Sequence, residues 1–209
     1  MAYVLGFFAA DGCITVHKNG GQFWCIQIND FTLLKSIREV IQSDHKISVR
    51  LSNGRKRNIS YRMQVGSKEM CSDLRRLGFT ERKTKSLAIP NVPKKYLPNF
   101  VRGYFDGDGN IWCGEIHKER KTTHWVLKLS FTSGSLDFLN GLKSRLDEFN
   151  IQGGCIYSAK DREFCRLQYS TINALKLYNF MYNSKTKDFS GLFLNRKKKV
   201  FENYIHLRL

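Results

Sequence analysis

Several features that would place a protein in a membrane or outside the cell are absent from this sequence of 209 residues. No run of about 18 apolar residues occurs, so a membrane-spanning helix is not expected. The N-terminus lacks the regions of a signal peptide, and we expect an intracellular protein. The six cysteines form no CxxC pair, which argues against a zinc site and against a disulfide framework.

Acidic residues are scarce. The sequence has 35 Lys and Arg against 18 Asp and Glu, for a formal net charge of +17. The basic excess is 17 against 7 in residues 1–95 and 18 against 11 in the remainder, so it is not confined to a tail. This balance predicts a polyanionic partner, most simply nucleic acid. The charge alone is also compatible with a merely soluble basic protein.

Proline is rare, and all three prolines fall in the stretch "IPNVPKKYLPNF". Such a concentration is typical of a linker between folded units. At 209 residues the chain can form one large domain or two small ones. We predict an N-terminal repeat at 1–87, a linker at 88–100 and a C-terminal repeat at 101–209.

An internal repeat flanks this linker. The stretch "VLGFFAADGCI" (4–14) aligns without gaps to "VRGYFDGDGNI" (101–111), with six of eleven positions identical. Segments with period two and segments with helical spacing follow each copy in the same order, α-β-β-α-β-β-α. We predict an α+β fold of two repeats related by a pseudo-twofold axis, each with an antiparallel sheet.

Polar and basic residues alternate with apolar ones along the predicted strands. Their side-chain types are those that contact bases and phosphates in a major groove. Alternatively, these residues form the ordinary solvent-exposed face of a sheet that packs on the core with its other face. The shortage of acids on these strands favours a binding face. The predicted DNA contacts are Thr15, His17, Gln27, Lys46, Ser48, Arg50, Asn58, Ser60, Arg62 and Gln64 in the first repeat, and Trp112, Lys128, Ser130, Arg166, Gln168 and Ser170 in the second.

Two acids stand where a helix disfavours them. Asp11 and Asp108 occupy the same position of the two copies, at the predicted C-terminal ends of helices, where partial negative charge accumulates. Small residues in both helices allow a close approach, which would bring the two carboxylates together. Their mutual repulsion would be relieved by a hard divalent cation such as Mg²⁺. We expect Mn²⁺ or Ca²⁺ to substitute for binding.

The stretches "LGFFAADG" and "RGYFDGDG" resemble the LAGLIDADG motif of the homing endonucleases, and the two copies resemble the single-chain, two-repeat members. The resemblance implies a saddle of two sheets along the major groove of double-stranded DNA. It implies metal-dependent hydrolysis of both strands that leaves short 3′ overhangs. It also implies a monomer that requires no protein partner.

The family's roles carry over by motif position. The eighth position falls on Asp11 and Asp108, which the resemblance makes the catalytic, metal-binding acids. The seventh position, Ala10 and Gly107, would lend backbone carbonyls to the metals.

Two other motif positions have structural roles by the same resemblance. The third position, Gly6 and Gly103, would serve helix packing. The sixth position is Asp106 in the second copy and Ala9 in the first, so we expect Asp106 to be structural rather than catalytic.

The resemblance also implies one catalytic basic residue near each scissile phosphate. Lys83 is the candidate in the first repeat, with Lys85 as the alternative. Lys197 is the candidate in the second, with Lys185 as the alternative. Such a lysine would hold the attacking water or offset charge on the phosphate. Each could instead be a solvated lysine on a helix surface.

Two polar residues at the ends of the second strands, Asp30 and Ser133, match pocket positions of the family. Asp30 is equally well placed to be the N-cap of the helix that follows it.

These observations predict a site-specific DNA endonuclease. An RNA-binding intron maturase and a non-cleaving DNA-binding regulator on the same scaffold are the alternatives, and the retention of both acids favours the nuclease. The two halves carry different polar residues, which predicts an asymmetric DNA site. No splicing blocks flank the repeats, so a freestanding or intron-encoded protein is expected.

Overall fold

The computed structural model describes residues 1–51, 59–117, 119, 121–122, 124–158, 163–183 and 191–208. None of the helices in these ranges has the length and apolar character needed to cross a bilayer.

The first repeat follows the predicted order. Its elements are α1 (Ala2–Asp11), β1 (Gly12–Val16), β2 (Gln22–Ile28), α2 (Phe31–Val40), β3 (Ile47–Leu51), β4 (Ile59–Gly66) and α3 (Lys68–Arg76). A four-residue helix that the sequence did not predict follows, α4 (Lys83–Ser86).

The second repeat has the same order. Its elements are α5 (Leu97–Asp108), β5 (Gly109–Ile116), β6 (His124–Ser133), α6 (Leu136–Asp147), β7 (Cys155–Ser158), β8 (Cys165–Tyr169) and α7 (Thr171–Tyr182). A helix beyond the predicted order, α8 (Asn195–His206), closes this repeat, with Phe201 and Tyr204 buried.

Each repeat contributes one antiparallel sheet of four strands, so the predicted fold class is confirmed. The strand orders are β1-β2-β4-β3 and β5-β6-β8-β7. Gly12 pairs with Ile26 in the first sheet, and its counterpart Gly109 pairs with Phe131 in the second. The two sheets can therefore be compared strand by strand.

Local signals in the sequence explain several helix ends. Ser67 caps α3 by accepting a hydrogen bond from the amide of Met70 at 3.1 Å, and Ser135 caps α6 in the same way. After α3, Gly78 adopts φ +91°, the left-handed conformation that glycine reaches without strain. The amide of Phe79 then donates to the Leu74 carbonyl at 3.0 Å, which closes the helix.

The first helix of the second repeat begins inside the stretch 88–100 that the sequence predicts as a linker. Helix α5 begins at Leu97, because Pro98 lies in its first turn, where proline costs no hydrogen bond. The segment before it packs against the second repeat. Arg145 of α6 donates to the Val92 carbonyl at 2.6 Å, and the ammonium of Lys94 lies 2.8 Å from a carboxylate oxygen of Glu148.

Helices α1 and α5 pack backbone to backbone at the boundary between the two repeats. A Cβ on Gly6 would overlap the carbonyl oxygen of Phe100, and a Cβ on Gly103 would overlap that of Tyr3. Phe7 and Phe105 on these helices are buried in one continuous hydrophobic core. The close approach predicted from the small residues is confirmed at both glycines.

We expect Gly103→Ala to lower the free energy of unfolding by about 3 kcal/mol, because the main chain of α1 cannot move away from the added methyl group without opening the core. The measurement is urea denaturation followed by tryptophan fluorescence. The matched control is Gly141→Ala in α6, where the added Cβ would meet side-chain atoms of Ile89, Cγ2 at 2.7 Å and Cβ at 3.6 Å, rather than main chain. Equal losses in the two variants would contradict this interpretation.

Candidate active site

The C-terminal ends of α1 and α5 meet. Asp11 is the last residue of α1, and Asp108 is the last residue of α5. A Cβ on Gly107 would overlap the Cβ of Ala10 and would lie 3.2 Å from Oδ2 of Asp11. The helix crossing therefore brings the two carboxylates to one site.

The electrostatics of this site disfavour two negative charges. Asp11 is exposed on one side, but protein atoms surround the remainder of its carboxylate. Burial, and then the charge of Asp108, raises the pKa of Asp11 to about 6. Burial also raises the pKa of Asp108, while the positive charges of Lys83 and Lys197 act in the opposite direction. Without a further cation the pair is electrostatically strained.

The donor atoms at this site are all oxygens. In the described ranges, no three His, Cys, Asp or Glu side chains group together as metal ligands. A cation here would be held by the carboxylates of Asp11 and Asp108 and the carbonyls of Ala10 and Gly107. Its remaining positions would be left for water or phosphate. Mg²⁺ suits such a set, since it prefers oxygen ligands and retains several waters.

Lys83 is directed at the end of α1. Its ammonium donates to the Ala9 carbonyl at 2.6 Å and to the Ala10 carbonyl at 3.2 Å. The side chain is buried, and this burial lowers its pKa. An ammonium is the charge that a helix C-terminus stabilises.

Lys197 does the same at the end of α5. Burial lowers its pKa to about 8, although the nearby carboxylates favour the charged form. Four main-chain carbonyl oxygens lie within hydrogen-bond distance of the ammonium and share its three protons: Phe105 at 2.6 Å, Asp106 at 2.8 Å, Gly107 at 3.4 Å and Gly109 at 2.6 Å.

The alternative lysines are placed differently. Lys85 is exposed, and its ammonium lies 3.4 Å from the carboxylate of Glu163 rather than at a helix end. Lys185 lies outside the described residues. Neither Lys83 nor Lys197 is the solvated surface lysine that the sequence left open.

Asp106 is buried and has structural contacts. Its Oδ2 accepts a hydrogen bond from the Tyr3 hydroxyl at 2.7 Å and another from the amide of Leu194 at 2.9 Å. Burial raises its pKa to about 6, and the two hydrogen bonds oppose that shift.

Asp30 lies at the start of α2 and also lines a cavity. Its side chain caps α2 by accepting from the Leu33 amide at 2.9 Å. It also lines a cavity of about 540 Å³, together with Asp11, Gln27, Asn29 and Arg196. Because Arg196 comes from the second repeat, this cavity lies between the repeats.

Ser133 does not occupy the position equivalent to Asp30. It is buried, and its hydroxyl accepts from the Ser135 amide at 3.1 Å. The strand registers align Ile28 with Ser133, so the counterpart of Asp30 is Ser135, which likewise caps the following helix. The two N-caps, Asp30 before "FTLL" and Ser135 before "LDFL", are the sequence signal that would have given this alignment.

The predicted polar residues of the first repeat share one face of its sheet. Gln27 pairs with Arg62, and Arg62 pairs with Ser48 on the next strand. Arg62 also donates to Sγ of Cys25 at 3.3 Å. Thr15, Arg50, Ser60 and Gln64 have the same orientation in the register, His17 follows β1 and Lys46 precedes β3. Asn58 lies outside the described residues.

The second sheet presents an equivalent face. A cavity of about 240 Å³ on it is lined by Asn110, Trp112, Lys128, Leu129, Ser130, Arg166 and Gln168. Ser130 is 9% exposed and so offers little surface to a ligand. Ser170 is the N-cap residue of α7, just beyond the end of β8.

The two faces are counterparts but are not identical. The registers make Arg62 equivalent to Arg166 and Gln64 equivalent to Gln168, whereas Thr15 is replaced by Trp112. In the described part of both sheets, no strand residue on this face is an Asp or a Glu.

The sequence interpretation missed Asn110 and Arg196. Asn110 lies two residues before Trp112 on β5, and strand alternation alone would have placed it on the same face. Arg196 has no comparable signal, because only the packing of α8 brings it to the cavity that Asp30 lines.

Comparison with known proteins identifies related sequences. The profile of the LAGLIDADG-like domain matches residues 95–180. The DNA-directed RNA polymerase subunit Rpo1C of Methanocaldococcus jannaschii is 26% identical over 151 residues, which is 71% of this chain and 16% of that protein. A probable translation initiation factor IF-2 of Thermococcus kodakarensis is 33% identical over 73 residues, 33% of this chain and 5% of that protein. The chain thus spans a small part of the length of these relatives.

Solved structures share the fold over nearly the whole chain. I-SmaMI, bound to an uncleaved DNA target in the presence of calcium ions, superposes with a TM-score of 0.66 and 12% identity, covering 98% of this chain and 89% of that one. The LAGLIDADG meganuclease I-AabMI, bound to uncleaved DNA, gives 0.61 and 16%, covering 98% and 88%. At such identities the likeness shows a common fold.

We expect Asp11→Asn to raise the free energy of unfolding of the metal-free protein by about 1 kcal/mol at pH 7, a value reduced for solvent screening of this exposed carboxylate. The folded-state pKa of about 6 lies above the ordinary 3.8, so the penalty is fully present above pH 6 and is lost as the pH falls toward 4. Urea denaturation with chelator at pH 7 and pH 4.5 measures it.

The control for this experiment is Asp73→Asn, which changes an exposed carboxylate on α3. A loss of stability in Asp11→Asn at pH 7 would contradict the proposed repulsion between the two acids.

Proposed function

We propose that this chain, a LAGLIDADG-family protein with the two-repeat meganuclease fold, is a site-specific endonuclease that cleaves both strands of DNA with a divalent metal, Mg²⁺ in the cell. The observation that carries the proposal is the pair of carboxylates, Asp11 and Asp108, at two helix ends that meet, each followed directly by the first strand of a sheet with a polar, acid-free face. A nuclease needs both features in one place: cation ligands and a surface for a polyanion.

The metal fits the oxygen donors at this site. A bound divalent cation would polarise the scissile phosphate and lower the pKa of an attacking water. Asp11 and Asp108 would hold it, with the carbonyls of Ala10 and Gly107. Because each repeat supplies one carboxylate, a single chain provides a complete site, and we propose that it acts as a monomer.

The two lysines support the same chemistry. Lys83 and Lys197 fix the carbonyls at the helix ends and keep positive charge beside the carboxylates. That charge would stabilise the phosphate as negative charge develops during cleavage.

The sheet faces support binding to a long, asymmetric site in the major groove. Their polar side chains are mainly Arg, Lys, Gln, Asn and Ser, which contact phosphates and base edges, and no strand residue on these faces in the described ranges is an acid. Equivalent arginines would hold the two halves of the site in similar ways. The differing residues, such as Thr15 and Trp112, would require different bases in the two halves.

The proposal includes two further features. The cut leaves short 3′ overhangs, as the family resemblance implies, and the protein acts inside the cell. A freestanding or intron-encoded origin stays a prediction, because in the curated relatives the matched segment is part of a far longer chain.

The central test is a cleavage screen. The protein is incubated with a library of genomic duplexes, with Mg²⁺ and with chelator, and new DNA ends are sequenced. We expect metal-dependent ends at one asymmetric site with short 3′ overhangs. Asp11→Asn and Asp108→Asn should each bind that site and fail to cut both strands, since each removes a metal ligand.

Undiminished double-strand cleavage by either Asn variant would contradict the site assignment. Tight DNA binding without new ends under any condition would favour the non-cleaving regulator. Preferential binding of structured RNA would favour the maturase.

A second test concerns the binding face. Arg166→Ala should weaken DNA binding and reduce the slope of log Kd against log salt concentration by about 1, as expected for the loss of one phosphate contact. Fluorescence anisotropy at several salt concentrations measures this slope. The control is Arg76→Ala, an exposed arginine on α3. Identical affinities and identical slopes for the two variants would exclude Arg166 from the interface.

A further inference from the structure

We propose that Asp106 is a positioning residue for Lys197, and that it acts in only one half of the active site. Its carboxylate fixes the start of α8 against α5, and the lysine on the first turn of α8 is thereby held at the end of α5. This inference rests on the proposed endonuclease function and assigns Asp106 a part in it.

Two buried hydrogen bonds to Asp106 connect α1, α5 and the start of α8, and this contact is called the joint below. Tyr3 of α1 and Leu194, which precedes α8, both donate to the same oxygen of Asp106, at 2.7 and 2.9 Å. These three residues are 2%, 5% and 2% exposed, for Tyr3, Leu194 and Asp106 respectively. A buried joint of this kind is lost at a large cost if one partner is removed, because the remaining polar groups stay unpaired.

The joint lies one helical turn from the lysine. The amide of Lys197 donates to the Leu194 carbonyl at 3.0 Å, so the residue that Asp106 holds is also the residue that begins the turn carrying Lys197. The lysine then reaches the carbonyls of α5, Gly107 among them. A shift of the α8 start would therefore move the ammonium relative to the carbonyl expected at the metal.

The other half of the molecule lacks this joint completely. With the repeat offset of 97 residues, Tyr3 corresponds to Phe100 and Asp106 corresponds to Ala9. Both polar partners are absent together, as expected if they function as one unit, since replacing both sides of a hydrogen bond by apolar groups costs little.

Lys83 is held by other means. It lies on the four-residue helix α4, and the hydroxyl of Ser135 donates to the carbonyl of Leu87 immediately after that helix at 2.5 Å. Gly134 also lies against Thr84, since a Cβ on this glycine would be 2.7 Å from the Thr84 carbonyl oxygen. Loss of Asp106 should leave these contacts intact, so its effect should be confined to the half that Lys197 serves.

The expected consequence is that the two DNA strands are cut at different rates. If each lysine serves one scissile phosphate, Asp106→Ala should slow the cleavage of one strand by about tenfold or more, because small displacements in an active site have large effects on rate. The other strand should be cut at nearly the wild-type rate. Nicked plasmid, always cut in the same strand, should accumulate.

The experiment measures the rate on each strand with separate end labels for four variants: Asp106→Ala, Asp106→Asn, Tyr3→Phe and the double variant Tyr3→Phe/Asp106→Ala. Asparagine keeps an acceptor for the Leu194 amide, so Asp106→Asn should retain most of the affected rate. The double variant copies the apolar pair of the other half. It should be more stable than Asp106→Ala alone in urea denaturation, while its affected strand should stay slow.

A purely structural role predicts a different pattern. Both strand rates would then fall in parallel, and they would recover in the double variant together with stability. That result, or equal rates on both strands in Asp106→Ala, would overturn the inference. Asp73→Asn on α3 is the control for protein preparation and for the loss of one carboxylate charge.

A second measurement separates this inference from the proposed function. Hydrogen exchange of the metal-free protein should show faster exchange at residues 195–198 in Asp106→Ala, with unchanged exchange around α4. Unchanged exchange at the start of α8 would overturn the inference even if the protein cleaves DNA. If the wild type cuts no DNA, the proposed function fails, and the exchange result alone decides whether Asp106 holds α8.

Discussion

Backbone contact between α1 and α5 is the constraint on which the candidate active site depends. At Gly6 and Gly103 each helix lies so close to the other that no side chain fits between them. This contact places the two helix ends together and fixes the relative position of the two sheets that follow them. The sheet faces and the carboxylates take their positions from it, because β1 and β5 begin at the residues that follow Asp11 and Asp108.

This packing creates an electrostatic conflict that the remainder of the site relieves. Two helix C-termini and two carboxylates concentrate negative charge in a partly buried place, which destabilises the fold. Lys83 and Lys197 offset part of that charge through the main-chain carbonyls, and we propose that a cation and the DNA phosphate complete the balance. Residues that weaken the free protein would thus be retained because they bind the ligand.

The pseudo-twofold relation between the repeats is not exact, and its deviations carry information. Arg62 and Arg166 are equivalent, but Thr15 is replaced by Trp112, which suits a DNA site with two different halves. The lysines are also held differently, one on a four-residue helix and one on the longer α8. Two halves that evolve within one chain are free to diverge in this way, whereas the halves of a homodimer are not.

The sequence by itself determined the repeat, the order of helices and strands within each copy, and the choice of Asp11 and Asp108, since these depend on local periodicity and on matching positions. It also indicated the polar sheet faces, because strand alternation is a local property. Only the tertiary structure decided that Lys83, not Lys85, reaches a helix end, and that Arg196 lines the cavity between the repeats. These features depend on contacts between residues far apart in the chain, made by α4 and α8, whose positions are set by packing against the other elements rather than by any repeating pattern.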